Sequence, residues 1–295
     1  MINELVSYCR EQYFATKEGL PCDNKQYHLC PECLREIHYA KKLTRVYDCP
    51  NMCYWYVCQD IYRYVTEMAW MFHDTRLGLM NRKDPLRICS IGCGPCSELI
   101  AFEEYYKRQN LSFDYSFTGF DRNFIWSDIQ KQVKKLSMKP DNISFHNTDM
   151  FNYYTCLDNP KPNVIILNYV ISDMLKYDYD AFIRFKDDLI HFIQELPSCA
   201  LLINDINLGV CNKDPRSHYA DFYIGVKNGI NNDSQTIDVG TSHFKNSLKP
   251  YIYYGVERKN NLWLDAPVDI KQLFNTNTEC HSAQILIVKR NKKSL

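Results

Sequence analysis

Apolar positions along the chain change their period as it is read from the start. From Tyr54 to Met80 the run YWYVCQDIYRYVTEMAWMFHDTRLGLM places apolar residues at helical spacing, and Gly78 and Asn81 offer a stop. One long amphipathic helix docked on a neighbouring domain is expected there. Beyond Pro85 the period shortens. LRICSIG, FDYSFTGF, NISFHNTDM, NVIILNYV and CALLINDIN read as strands, and ELIAFEEYYKRQ, IQKQVKKL and AFIRFKDDLIHFIQELP read as the helices between them. NVIILNYV is almost continuously apolar, as a parallel strand buried on both faces must be. Five strands alternating with helices predict a parallel sheet covered on both sides. YIYYGVERKNNLW and SAQILIVKRN read as two further strands, with no convincing helix between the fifth strand and the first of them.

At 295 residues the chain exceeds one typical domain, and the patterning divides it into a small module over residues 1–84 and a large core over 85–295. Apolar residues make up 45% of it, enough for a buried core. Its 35 basic and 35 acidic side chains cancel, so no global field attracts a polyanion or a membrane, and nucleic-acid contact would have to be local. The opening MINELVSYCREQYF lacks the basic and apolar regions of a leader, and no apolar run reaches membrane-spanning length, so a cytoplasmic location is expected.

Fourteen cysteines in a long chain of this kind fit free thiols and metal ligation better than a disulfide framework. Cys30-Pro31-Glu32-Cys33 and Cys49-Pro50-Asn51-Met52-Cys53 are two short hooks with fifteen residues between them. Two thiolates from each suit tetrahedral zinc, so Cys30, Cys33, Cys49 and Cys53 are the expected ligands, with Cys22 and His28 as alternative ones. Reduced cysteines packed as small hydrophobes, or an iron–sulfur cluster, are the competing readings. Cys9 and Cys58 fall on helical segments and read as structural. Arg35, Lys41, Lys42 and Arg45, against Glu36, make one local basic patch that either contacts phosphate or is a solvated face.

The chemistry-bearing pattern begins at the end of the first strand, where Gly92-Cys93-Gly94-Pro95-Cys96-Ser97-Glu98 leads into a helix. Glycines there let backbone approach a ligand closely, and the helix start presents amides to an anion. Asp121 ends the second strand, placed to accept from ribose hydroxyls, and Asp149-Met150 end the third, placed to face an adenine.

Over residues 86–294 the chain resembles class I S-adenosylmethionine-dependent methyltransferases: SIGCGPCSE looks like their first motif, TGFDRN their second-strand acid and HNTDM their third. The resemblance implies a doubly wound, mostly parallel, seven-stranded Rossmann-like sheet closed by antiparallel C-terminal strands, behind the zinc-binding and helical module. It implies S-adenosylmethionine as cofactor. Ser90, Gly92 and Gly94 would belong to the strand and turn that hold its methionine end, Asp121 would hold the ribose, and Asp149 and Met150 the adenine. Asn168 and Tyr169, where the fourth strand emerges, complete the expected cofactor set.

Two departures stand out. The family often has an acid two residues before the first glycine, where this chain has Ser90, and the third glycine of the common pattern is Cys96. A dehydrogenase shares the strand, turn, helix and acid, but fits the missing third glycine and the final strands less well. Asn168, Tyr169, Asp173 and Asp205 are candidates to face the transferred methyl. None carries a decisive signature, so no catalytic base is assigned. Residues 207–250, rich in Asn, Asp, Gly, Ser and Lys and including Arg216, His218 and Tyr219, read as a substrate-facing insertion or a bland loop. The acceptor is left open between RNA or another nucleic acid, slightly preferred for the zinc module and basic segment, and a small molecule or protein. A non-catalytic cofactor-binding platform is the third reading.

Overall fold

The computed structural model describes residues 1–17, 30–39, 46–75, 84–112, 114–156, 159–177, 179–206, 219–230, 235–245, 255–259 and 263–291. Three helices come first: α1 (Ile2–Lys17), α2 (Cys30–Tyr39) and α3 (Pro50–Thr75). Alternating units follow: β1 (Leu86–Ile91), α4 (Ser97–Arg108), β2 (Tyr115–Phe120), α5 (Ser127–Leu136), β3 (Ile143–His146), α6 (Met150–Cys156) and β4 (Val164–Asn168). The chain continues through α7 (Ile171–Tyr177), α8 (Tyr179–Glu195), β5 (Cys199–Ile206), α9 (Tyr219–Ile230), β6 (Gln235–Phe244), β7 (Val256–Arg258), α10 (Val268–Phe274) and β8 (Ser282–Asn291).

These strands form one sheet in the order β3-β2-β1-β4-β5-β8-β6-β7. Strands β1 to β5 are mutually parallel, and β7 is parallel to β6. Only β8 is reversed, antiparallel to β5 on one side and to β6 on the other. The sheet therefore has eight strands among the described residues, where seven were expected. Its antiparallel pairings are those of the C-terminal strand β8, inserted between β5 and β6.

Period-two alternation sends the strands' side chains into two cores. Ile88, Phe117, Val164, Ile166, Ala200 and Leu202 face α1, α3 and α4. Cys89, Phe120, Ile165, Leu167, Leu201 and Ile203 face the side of α6, α7, α8 and α9. The long helix α3 is docked as its periodicity predicts: Val57, Ile61, Val65 and Met68 are wholly buried, in one apolar cluster with α1, α4 and the sheet.

Two expectations are corrected here. Residues 207–250 contain α9 and the ten-residue β6, which pairs with β8 along nearly its whole length, so they are not one long loop. Gly225 and Gly229 masked the helix. A Cβ at Gly229 would sit 2.7 Å from Ile190 of α8, so the missing side chain is what lets α9 lie close. Arg216 and His218 lie outside the described residues, as does the Tyr219 side chain.

The zinc site is the second correction. Cys30 and Cys33 lie in the first turn of α2, while Cys49 precedes α3 and Cys53 lies inside it. Cys33 and Cys53 are buried in the helical apolar core, with Cys30 and Cys49 packed against it, and burial first, then the neighbouring Cys49, raises the Cys53 thiol. Among the described residues no group of three or more His, Cys, Asp or Glu is arranged to hold a metal ion. The described residues give the expected zinc no support. Cys22, His28, Lys41, Lys42 and Arg45 lie outside the described residues. Cys9 and Cys58 are buried on α1 and α3, and the Cys58 thiol points to the carbonyl of Val6. Among the described residues no helix is long and apolar enough to cross a membrane.

Candidate functional site

Chain order reverses between β1 and β4: the first three strands build outward on one side, and β4 and β5 on the other. In an open α/β sheet the crevice at the carboxyl ends of such a pair is where ligands bind. A cavity of about 630 Å³ opens there. Its walls include Gly92 and Gly94 after β1, Asp121 after β2, Asp149 and Met150 after β3, and Asn168 and Tyr169 at β4. Every residue of the expected cofactor set except Ser90 thus borders one space. Ser90 is buried behind it and donates its hydroxyl to Glu98, which does border it.

The glycine turn has the backbone its sequence implies. Gly92 and Gly94 adopt φ +64° and +44°, and a Cβ at Gly92 would lie 2.7 Å from a methyl of Val170. Cys96, at the third glycine's place, is also left-handed at φ +60°. The pattern's geometry is therefore kept although its residue is not, at a strain of about 1–2 kcal/mol. Asp121 ties the turn to β2, accepting from the Gly94 amide at 2.9 Å and the Asn123 amide at 2.8 Å. Burial raises its pKa and those two bonds oppose the rise. A carboxylate has room for further donors beyond these two. Asp149 accepts from the Phe151 amide at 2.9 Å and from Arg122 at 2.7 Å.

Across the switch point the β4 tip is fixed by a polar relay. Asn168 donates to Ser97 Oγ at 2.9 Å and accepts from Asn204 at 2.8 Å, and Asn204 also donates to Glu67 of α3 at 3.1 Å. Tyr169 sits at φ +57°, its amide donating to the Asn204 carbonyl at 2.7 Å. Its ring lies 4.6 Å from that of Tyr64. Asp205, expected near the methyl, instead accepts from the Ser172 amide at 3.0 Å, fully buried, with its pKa pushed up to about 6 by burial. It does not border the cavity, whereas Asp173 does, ion-paired with Lys176.

Sequence reasoning missed the other half of the cavity. Arg63, Tyr64, Tyr56 and Trp126 line it together with Tyr47 and His38, so α2, α3 and Tyr47 just before α3 roof the crevice. The Arg63 guanidinium donates to Asp60 at 2.7 Å and lies 4.7 Å from the centre of the Tyr64 ring. Lys176 of α7 donates to the carbonyls of Ile37 and His38, clasping the end of α2 to the α/β core. A charged residue within the apolar run of α3 was the one available signal, and Arg63 is such a residue. Glu98 was also passed over. It is buried against Ser90 and Ser97, and burial, opposed by those hydroxyl bonds, pushes its pKa up to about 7.

No family model and no curated protein matches the chain. Among solved structures it is similar to the plantazolicin methyltransferase BpumL in complex with SAH, at 13% identity and a TM-score of 0.41, over 99% of this chain and 100% of that one. It is also similar to magnesium protoporphyrin IX methyltransferase (ChlM) from Synechocystis PCC 6803 with bound SAM, at 12% and 0.43, over 95% and 97%. A SAM-dependent methyltransferase from Archaeoglobus fulgidus is similar at 14% and 0.39, over 75% and 94%. A likeness this loose leaves function to be read from the site.

Proposed function

We propose that the chain is an S-adenosylmethionine-dependent methyltransferase. What carries the reading is the convergence, on one cavity at the β1/β4 switch point, of the left-handed glycine turn, the acid ending β2 and the acid–methionine pair ending β3. The donor set suits a nucleoside joined to an amino acid: spare acceptor capacity on Asp121 for ribose hydroxyls, Asp149 and Met150 for the base, and the turn for the amino-acid end. When bound, the cofactor supplies an activated methyl group. The chain's own residues then hold and orient the reactants: Asn168 and Tyr169 are fixed by the Ser97–Asn168–Asn204–Glu67 relay, so the β4 tip is preorganised.

The acceptor reading favoured here is a small molecule. The cavity is roofed by α2 and α3, and its outer wall is aromatic, with Tyr56, Tyr64, Tyr169 and Trp126 around Arg63. Such a space suits a compact acceptor better than the nucleic acid that the zinc expectation had favoured, and the chain carries no net charge to gather a polyanion. Calorimetric titration with S-adenosylhomocysteine, with NAD in parallel, tests the donor. Binding of the former at micromolar Kd, about −8 kcal/mol, and none of NAD is expected. Binding of NAD alone would replace the methyltransferase reading with a dehydrogenase one.

A further inference from the structure

The proposed methyl donor carries a primary ammonium at its methionine end, and a cation taken out of water needs a carboxylate beside it. Five acids border the cavity: Glu98, Asp121, Asp149, Asp173 and Asp188. Asp149 is paired with Arg122 and Asp173 with Lys176. Asp121 accepts two backbone amides on the β2 side, and Asp188 is exposed on α8. Glu98 differs from all four. It is 1% exposed, and among the described residues no ion pair reaches it. Its hydrogen bonds come from the neutral hydroxyls of Ser90 and Ser97, with Asn168 alongside.

Those neighbours fix where the carboxylate stands. Ser90 is on β1 two residues before the glycine turn, Ser97 opens α4, and Asn168 ends β4. Glu98 thus occupies the switch point itself, between the two strand tips that separate. We propose that Glu98 is the binding residue for the ammonium group of the methionine end, its carboxylate delivered from α4 into the place where β1 supplies only Ser90. The inference rests on the methyl-donor reading above. Ser90 then has a positioning role: its hydroxyl holds one carboxylate oxygen and leaves the other, shared with Ser97, toward the cavity.

Glu98→Gln keeps the shape and removes the charge. Titrated with S-adenosylhomocysteine, it is expected to bind at least about tenfold more weakly than the unmodified protein, as loss of one charge-assisted bond implies. With 5′-methylthioadenosine, which lacks the amino-acid end, the two proteins should agree within about twofold by the same reasoning. Equal weakening of both ligands would make Glu98 a structural residue and overturn the proposal, as would unchanged affinity for both.

A measurement on the unmodified protein stands if the variant does not fold. The deamino analogue of S-adenosylhomocysteine should bind at least about tenfold more weakly than the parent. At pH 7 the parent alone should release about half a proton, because Glu98, raised to about 7 by burial, ionises fully when a cation docks. The titratable groups whose charge reaches it are the thiols of Cys93 and Cys96: a hydrogen bond from Cys96 lowers the Cys93 thiol, burial outweighs it, and burial raises Cys96, while Asp121 borders the same cavity. Equal affinity and no proton release overturn the assignment. If the unmodified protein binds neither S-adenosylhomocysteine nor 5′-methylthioadenosine, the methyl-donor reading itself fails.

Discussion

Gly92 is held by two constraints at once. Its φ of +64° is strained for any L side chain, and a Cβ would meet Val170 at 2.7 Å, on the segment just beyond the β4 tip. Gly92→Ala should therefore lose about 1–2 kcal/mol of stability from the left-handed backbone alone. A lowered urea midpoint with unchanged slope checks this. Displacement of Val170 should weaken S-adenosylhomocysteine binding in the same variant, whereas an unchanged midpoint would mean the turn relaxes freely. This part of the site was legible in the sequence, because a glycine between a strand and a helix states a backbone requirement directly. Cys96 was legible only as a departure. Its left-handed backbone shows that the turn imposes the geometry whether or not glycine is there. Glu98 was not legible, because one carboxylate on an apolar helix is indistinguishable from a solvated one until Ser90 and Ser97 are placed around it.

At the scale of elements, the N-terminal helices join the α/β core mainly through the apolar face of α3, and Lys176 adds a polar tie to α2. Lys176 is 4% exposed, and its ammonium meets the carbonyls of Ile37 and His38 at the end of α2 as well as Asp173. A cation suits a helix carboxyl end, where unpaired carbonyls gather. Lys176→Met keeps the apolar stem and removes those bonds, so α2 should loosen over the cavity at a cost of about 1–3 kcal/mol. Faster hydrogen exchange confined to residues 30–39 and 171–177 is the expected readout, and an unaltered exchange map would mean that α2 is held by its apolar face alone. Strongly periodic elements, α3 and β1 to β5, were readable in the sequence because each buries a regular stripe or a continuous run. Elements α9 and β6 were not, since Gly225 and Gly229 interrupt the helical pattern and Gly240 the strand. The cysteine hooks are ambiguous for a related reason: spacing reports how close two thiols lie along the chain, and not whether they face a metal or, as Cys33 and Cys53 do, the helical core.

Over the whole molecule, three buried acids have carboxyls that burial raises. Glu98 is pushed up to about 7 and Asp205 to about 6, and Glu67 is also raised, each mainly by burial. A carboxyl whose folded pKa exceeds its unfolded value binds more protons when folded, so its contribution is fully present below the unfolded value and is lost as pH rises through the folded one. For Glu98 that window runs from about 4.5 to about 7. His281 acts oppositely: burial lowers it to about 4, so its contribution increases as pH rises from there toward its ordinary value of 6.5. The two slopes partly cancel, and a single stability curve cannot separate them. Subtracting the curve of Glu98→Gln removes His281 and isolates the carboxyl. Relative to the variant, the unmodified protein should lose on the order of 3 kcal/mol between pH 4 and pH 8, most of it below pH 7. A flat difference would mean that Glu98 is ionised throughout and already holds a compensating charge. A saturating concentration of S-adenosylhomocysteine should flatten the same difference, because a docked ammonium lowers the folded pKa back toward the unfolded one.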